Sequence, residues 1–325
     1  MSNRFLKKYI IIGLLLTISG AVVLYRLLPG LGEYKGKAPA ANEWDIPYIN
    51  SLPSTPADDL IRYGKELIVN TAKYLGPNGS VAHLSNGMNC QNCHLEAGTR
   101  LNGNCFALVA STYPKYRERS GRIESLEFRI NDCMERSLNG KKLDSVSREM
   151  RAMVAYILWL GKAVPKGAVL KGMGIPDLAL LPRAASIPNG EQVFKTRCVS
   201  CHGANGQGVF NADSTGYVYP PLWGPHSYNV SAGLFRLSRT AGFIKYNMPF
   251  TISPLEPQLT DAEAWDVAAF VSSQQRPEKY FKEDWPNLVK KPFDYPFGPY
   301  ADSFPEQQHK YGPFDIIKKA KEKSR

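Results

Sequence analysis

Between Tyr9 and Leu28 nearly every position is apolar, broken only by Thr17, Ser19, the glycines and Arg26. An unbroken run of this kind can span a bilayer, which takes about 20 residues. Arg4, Lys7 and Lys8 precede it, the flank of a membrane anchor or an export signal. It is longer than an ordinary signal core, and no clear small-x-small cleavage site follows. Residues 1–30 are therefore expected to form an uncleaved anchor rather than a cleaved signal. Either way the body is exported, and the positive-inside rule keeps Met1–Lys8 in the cytoplasm. From Leu31 to about Thr55 the pattern dissolves into Pro, Gly, Ala and Asn, as a linker (31–55) does.

Helical spacing then sets in. Ala57–Leu75 places Leu60, Ile61, Leu67 and Ile68 on one face, with Asp58 and Asp59 in the first turn, where the helix dipole favours negative charge. Ser147–Val164 repeats the spacing at Met150, Met153, Val154, Ile157, Leu158 and Leu160. Pro165–Pro188 holds four prolines and few helix signals, so it connects. The order then returns. Gly190–Thr196 is a short helical lead, Ser231–Tyr246 predicts a helix, and Thr260–Ser273 predicts another opened by a Thr260/Glu263 capping box. The expected fold is all-α, with one unit at 56–165, a connector at 166–188 and a second unit at 189–278. Arg276–Phe314 is full of Pro and aromatics, too apolar for a free tail. Residues 279–325 are expected to wrap on the body as irregular structure, ending in a basic run, Lys318, Lys319, Lys321, Lys323 and Arg325, that reads as a solvated helix face or tail.

Composition adds two constraints. Over 325 residues, 43% apolar and 21% charged content suits a soluble body long enough for two domains, and the net charge of +11 points to an anionic partner. No basic-aromatic module for nucleic acid is present. The six cysteines carry more information. Each predicted unit contains Cys-x-x-Cys-His: Cys90, Cys93 and His94 in the first, Cys198, Cys201 and His202 in the second. Two thiols at this spacing can add to the two vinyl groups of one porphyrin, and the histidine beside them can give a ring nitrogen to iron. The chain is thus expected to be two tandem cytochrome c domains with two covalently bound c-type haems. Covalent attachment occurs outside the bacterial cytoplasmic membrane. That places the body on the periplasmic face, or free in the periplasm if the signal is cleaved.

A sixth iron ligand is expected at each haem. In the second domain Met248, followed by Pro249 just before the last helix, fits a thioether ligand, with Lys245 as a rival. In the first, Met134, Met150, Met153 and Met173 are available, and Met150 and Met153 fall on a core-facing helix. Cys133 is the stronger donor, since a thiolate pushes electron density onto iron. On spacing alone Cys105 and Cys133 make a plausible disulfide in an oxidising compartment.

The segment Arg129-Ile-Asn-Asp-Cys-Met-Glu-Arg-Ser-Leu-Asn-Gly140 resembles the one that carries the cysteine haem ligand in thiosulfate dehydrogenases, a family of dihaem c-type cytochromes. Gln91–Leu95, Tyr113–Tyr116, Phe243–Pro249, Asp261–Phe270, Arg276-Pro277 and Lys291–Phe314 are also similar to that family, so the likeness covers roughly residues 55–315. The resemblance implies Cys133 as haem ligand and a reaction in which two thiosulfates join as tetrathionate with release of two electrons, or its reverse. It also implies electron flow from a His/Cys-ligated to a His/Met-ligated haem, then to another cytochrome or a quinone-linked protein. Arg119 and Arg129 flank Cys133 and can offer planar forks to sulfonate oxygens, and Ser137 lies one turn beyond. Arg136 and Lys141 are weaker candidates. Arg117 and Arg122 are expected in surface ion pairs. Asn247 stands where some relatives resemble a Lys-Met pair, which argues against a ligand switch at Met248. His83, His226 and His309 are expected to be structural. Two other readings remain open: a plain electron carrier with a Cys105–Cys133 disulfide, and a Sox-type sulfur-transfer subunit that needs a partner.

Overall fold

The computed structural model describes residues 43–323 apart from 251, 252 and 254. The Tyr9–Leu28 run, with the anchor or signal expected there, lies outside them. Among the described residues no helix is long and apolar enough to cross a membrane. The body is helix-rich, with two small antiparallel hairpins that the all-α expectation did not include.

Helix α1 (Pro56–Val69) opens with Thr55 accepting the Asp58 N–H and proline in its first turn, where no N–H is required. The spacing predicted one helix through Leu75. The chain instead breaks at Asn70 (φ −120°, ψ 42°), whose side chain donates to Glu66 at 3.0 Å, and resumes as α2 (Thr71–Leu75). The break is useful. It turns the Ala72 N–H onto Asn89 Oδ1 (2.8 Å) and lets Thr71 Oγ1 accept the Cys90 N–H (2.9 Å), so α2 holds the first haem-attachment motif. A hairpin follows, β1 (Lys115–Arg117) against β2 (Arg122–Glu124), with Arg117 opposite Arg122 and Lys115 opposite Glu124. Helix α3 (Leu126–Arg136) is capped by Ser125 and α4 (Arg148–Leu160) by Ser147. Helices α1 and α4 cross so closely that a Cβ on Gly64 would lie 2.0 Å from the Ala152 carbonyl oxygen. Leu67, Leu75, Met150, Met153 and Tyr156 fill the core beneath.

The second unit repeats this crossing. Helix α5 (Ile187–Arg197) is capped by Ser186 and followed by the second motif, and its Gly190 meets the Asp266 carbonyl as Gly64 meets Ala152. The hairpin β3 (Val209–Phe210) and β4 (Tyr217–Tyr219) comes next. Helix α6 (Leu237–Asn247) starts six residues later than its pattern suggested, because Gly233–Phe235 forms a separate 3-10 turn and Ser231 donates to the Lys279 carbonyl at 2.6 Å. Its residue before the first turn, Arg236, supplies no cap. Asp294 does so from afar, accepting the Ser238 N–H at 3.0 Å. Helix α7 (Asp261–Ser273) carries the predicted Thr260/Glu263 capping box.

Beyond α7 the chain is irregular as expected, save one turn at Leu288–Lys290, but only as far as Pro305. Two helices then form, α8 (Glu306–Tyr311) and α9 (Phe314–Lys323). The basic run is the solvated face of an amphipathic helix, one of the two forms expected for it. Phe314 and Ile317 pack with Leu237 and Trp265 in the second core, while Lys318, Lys319 and Lys323 face solvent.

Candidate active site

Asn89 starts the first motif by closing a reciprocal cap with Asn92, its N–H donating to Asn92 Oδ1 at 2.7 Å. His94 follows. Its Nδ1 donates to the Asn104 carbonyl at 2.7 Å, so the proton sits on Nδ1 and Nε2 keeps its lone pair. Asn104 holds the loop by donating to the Cys93 carbonyl at 3.1 Å. Burial pushes the His94 ring down to about 4, aided by the nearby Arg129 charge, so it is a neutral base at physiological pH. Burial also raises the thiols, Cys90 to about 11 and Cys93 to about 12.

These three residues form one side of a cavity of about 240 Å³. Another side comes from α3, where Arg129, Cys133 and Ser137 recur at every fourth position and so share one helical face. The remaining walls are largely apolar, with Met88, Phe106, Leu126, Met134 and Met153 among them. Arg129 donates to Asp132 at 2.6 Å, and negative charge at Cys133 is the largest influence raising its pKa. Cys105 and Cys133 line the same cavity and both are free thiols. Burial raises Cys105 to about 11.

The second motif copies the first. His202 is buried and its Nδ1 donates to the Pro220 carbonyl at 3.0 Å, again leaving Nε2 free. Burial lowers its pKa. Met248 ends α6, half-buried, and the buried Asn247 before it donates to the Asn102 carbonyl at 2.9 Å. Lys245, the rival ligand, is engaged with Asp261 at 3.1 Å and with the Leu259 carbonyl. Paired, partly buried thiols beside a neutral histidine with a free Nε2 are the donor set a c-type haem requires, and both units present it.

The other residues singled out by the sequence divide. Arg119 is not among the cavity-lining residues. It donates to the Ser231 carbonyl at 3.2 Å and lies over the Trp285 ring. Arg136 is held in an ion-paired bridge between Asp132 and Asp284, with both terminal nitrogens on Asp284 at 2.7 Å, and Lys141 is exposed. Met150 and Met153 are fully buried in the core. His83 meets the Pro77 carbonyl, His226 is exposed, and His309 is buried between the Phe293 carbonyl and Asp302. Sequence reasoning missed Arg117, which lines the cavity with Tyr113. The available signal was the strand alternation of Lys115–Arg117, too short to register without the fold.

Two helical units, each closing around Cys-x-x-Cys-His, define a dihaem c-type cytochrome. The family model "SoxA/TsdA, cytochrome c domain" matches residues 80–165 and "Cytochrome c" matches 187–275. The chain belongs to the thiosulfate dehydrogenase family: it is 43% identical to the thiosulfate dehydrogenase of Allochromatium vinosum over 69% of this chain and 84% of that protein. It is 39% identical to that of Psychrobacter arcticus over 74% and 71%. Among solved structures, thiosulfate dehydrogenase (TsdBA) from Marichromatium purpuratum superposes with a TM-score of 0.66 at 32% identity, covering 73% of this chain and half of that longer one.

Proposed function

We propose that this chain joins two thiosulfates as tetrathionate, and can run the reverse reduction, on the outer side of the cytoplasmic membrane. The convergence of Arg129, Cys133 and Ser137 on the cavity that holds Cys90, Cys93 and His94 carries this reading. Cys90, Cys93, His94 and Cys133 would hold one haem; Cys198, Cys201, His202 and Met248 the other. When bound, the two haems supply a pair of one-electron acceptors, the first at the substrate and the second toward an external cytochrome or quinone-linked protein.

Cys133 does the sulfur chemistry. Its thiolate bonds to the terminal sulfur of one thiosulfate, giving a cysteine S-thiosulfonate and releasing two electrons. The terminal sulfur of a second thiosulfate then attacks the sulfane sulfur of the adduct. The new S–S bond of tetrathionate forms, the bond to Cys133 breaks, and the cysteine leaves as thiolate. No proton enters the balance. Arg129 can direct its remaining N–H donors to sulfonate oxygens, and Ser137 can add a hydroxyl. The apolar walls exclude water, which strengthens those contacts. The anchor rests on the Tyr9–Leu28 run and its basic flank.

Replacing Cys133 with Gly should abolish tetrathionate formation while the protein keeps both covalent haems, measured as haem content, thiosulfate-dependent bleaching of the oxidised spectrum and product in one sample. Full turnover in Cys133→Gly would sink this chemistry. Intact wild-type protein that dithionite reduces but thiosulfate does not would instead make it an electron carrier.

A further inference from the structure

When the second thiosulfate, a dianion, attacks the cysteine S-thiosulfonate, two sulfonate groups carrying three negative charges between them meet at one sulfur. Arg129 is a single positive charge, and one of its arms is committed to Asp132. A site that holds both sulfonates at once calls for a second cation on the same cavity. Arg119 does not line it.

We propose that Arg117 is that second anion-binding residue, holding one substrate's sulfonate at the cavity while Arg129 holds the other. The proposal rests on the thiosulfate reading above and names a residue for it. Arg117 closes β1, lines the cavity beside Tyr113, Arg129 and Ser137, and keeps 33% of its side chain exposed. Its carboxylate neighbour is Glu124, with Nε to Oε2 at 3.9 Å, too long for a hydrogen bond. Glu124 stands diagonally across the hairpin on the same face, since Arg117 faces Arg122 and Lys115 faces Glu124. Glu124 is itself buried, 4% exposed, and receives the Ser120 hydroxyl at 2.7 Å. It fixes the guanidinium by charge without occupying its donors. The expected surface ion pair is thus an aiming device from beneath.

The test uses the dihaem protein and reads both steady-state kinetics and equilibrium binding of tetrathionate to the oxidised form by calorimetry. Arg117→Gln should raise the KM for thiosulfate and the Kd for tetrathionate by about ten-fold, the weight of a charge-assisted contact, and leave kcat within about three-fold. Arg117→Lys should recover part of both, because it restores the charge but not the fork. Arg122→Gln, an exposed residue over the Phe128 ring, should match wild type. An unchanged KM and Kd in Arg117→Gln would overturn the proposal, and so would a fall in kcat at constant KM, which marks a merely structural hairpin. Wild-type protein that neither oxidises thiosulfate nor binds tetrathionate would overturn the underlying reading, a different failure.

Discussion

A helix normally gains from replacing glycine by alanine, by up to about 1 kcal/mol. Gly64 in α1 should do the opposite, because the added methyl would lie 2.0 Å from a main-chain oxygen of α4 that cannot move aside alone. Gly64→Ala should cost about 3 kcal/mol by overpacking, seen as a lowered urea midpoint. Gly233→Ala, with nothing within 4 Å of the new carbon, serves as the control and should change little. At this scale the site was partly legible. Arg129, Cys133 and Ser137 could be paired from spacing alone, since four-residue steps on one helix leave little freedom. Arg119 was expected at the substrate and Arg117 in a surface ion pair, a choice that spacing does not decide. They are two residues apart, at and just beyond a strand end, and only the hairpin register decides that one lines the cavity while the other meets Ser231 and Trp285.

At the scale of elements, periodicity located α1, α4 and α7, whose apolar faces repeat over several turns. It overran α1 at Asn70 and began α6 too early, because side-chain and tertiary hydrogen bonds that no local pattern encodes decide those ends. The wrap beyond α7 shows what such distant bonds do. Asp284 grips Arg136 with both oxygens, Arg136 in turn grips Asp132, and Asp132 holds Arg129 at the cavity. Arg136 and Asp284 are each less than 10% exposed. Asp284→Asn would leave the guanidinium buried without that partner, a loss of about 3 kcal/mol. It should also raise the KM for thiosulfate, as Arg136 pulls Asp132 away from Arg129. Urea unfolding together with steady-state kinetics checks both effects. A variant as stable as wild type would show that the wrap only covers this surface.

For the whole molecule, the repeated helix order and the two Cys-x-x-Cys-His motifs made two units readable, while the seam between them was not. Tyr217 of the second unit is buried in the first unit's core, Asn229 donates to Asn139 at 3.0 Å, and Asn247 reaches Asn102. These are single polar or aromatic residues, each unremarkable in sequence. Carboxylates do similar long-range joining, and they make the joining depend on pH. Burial alone would raise Asp294, but Arg236 and the Ser238 hydroxyl and N–H outweigh it and hold the group below its usual range. Burial of Asp132 is likewise outweighed by Arg129, Arg136 and Arg119. A carboxylate depressed in the folded state adds stability that is complete above its unfolded pKa, near about 4, and is lost as pH falls through the lower folded value. The urea midpoint should therefore change little from these groups between neutrality and about pH 5, then fall steeply below about pH 4. Asp294→Asn should be less stable at pH 7 and lose less on acidification, because the group that took up the proton is gone and the cap on α6 no longer depends on it. If the variant and wild type fell in parallel below about pH 4, the tie between the wrap and α6 would not be part of the acid response, and Asp132 would be the next carboxylate to replace.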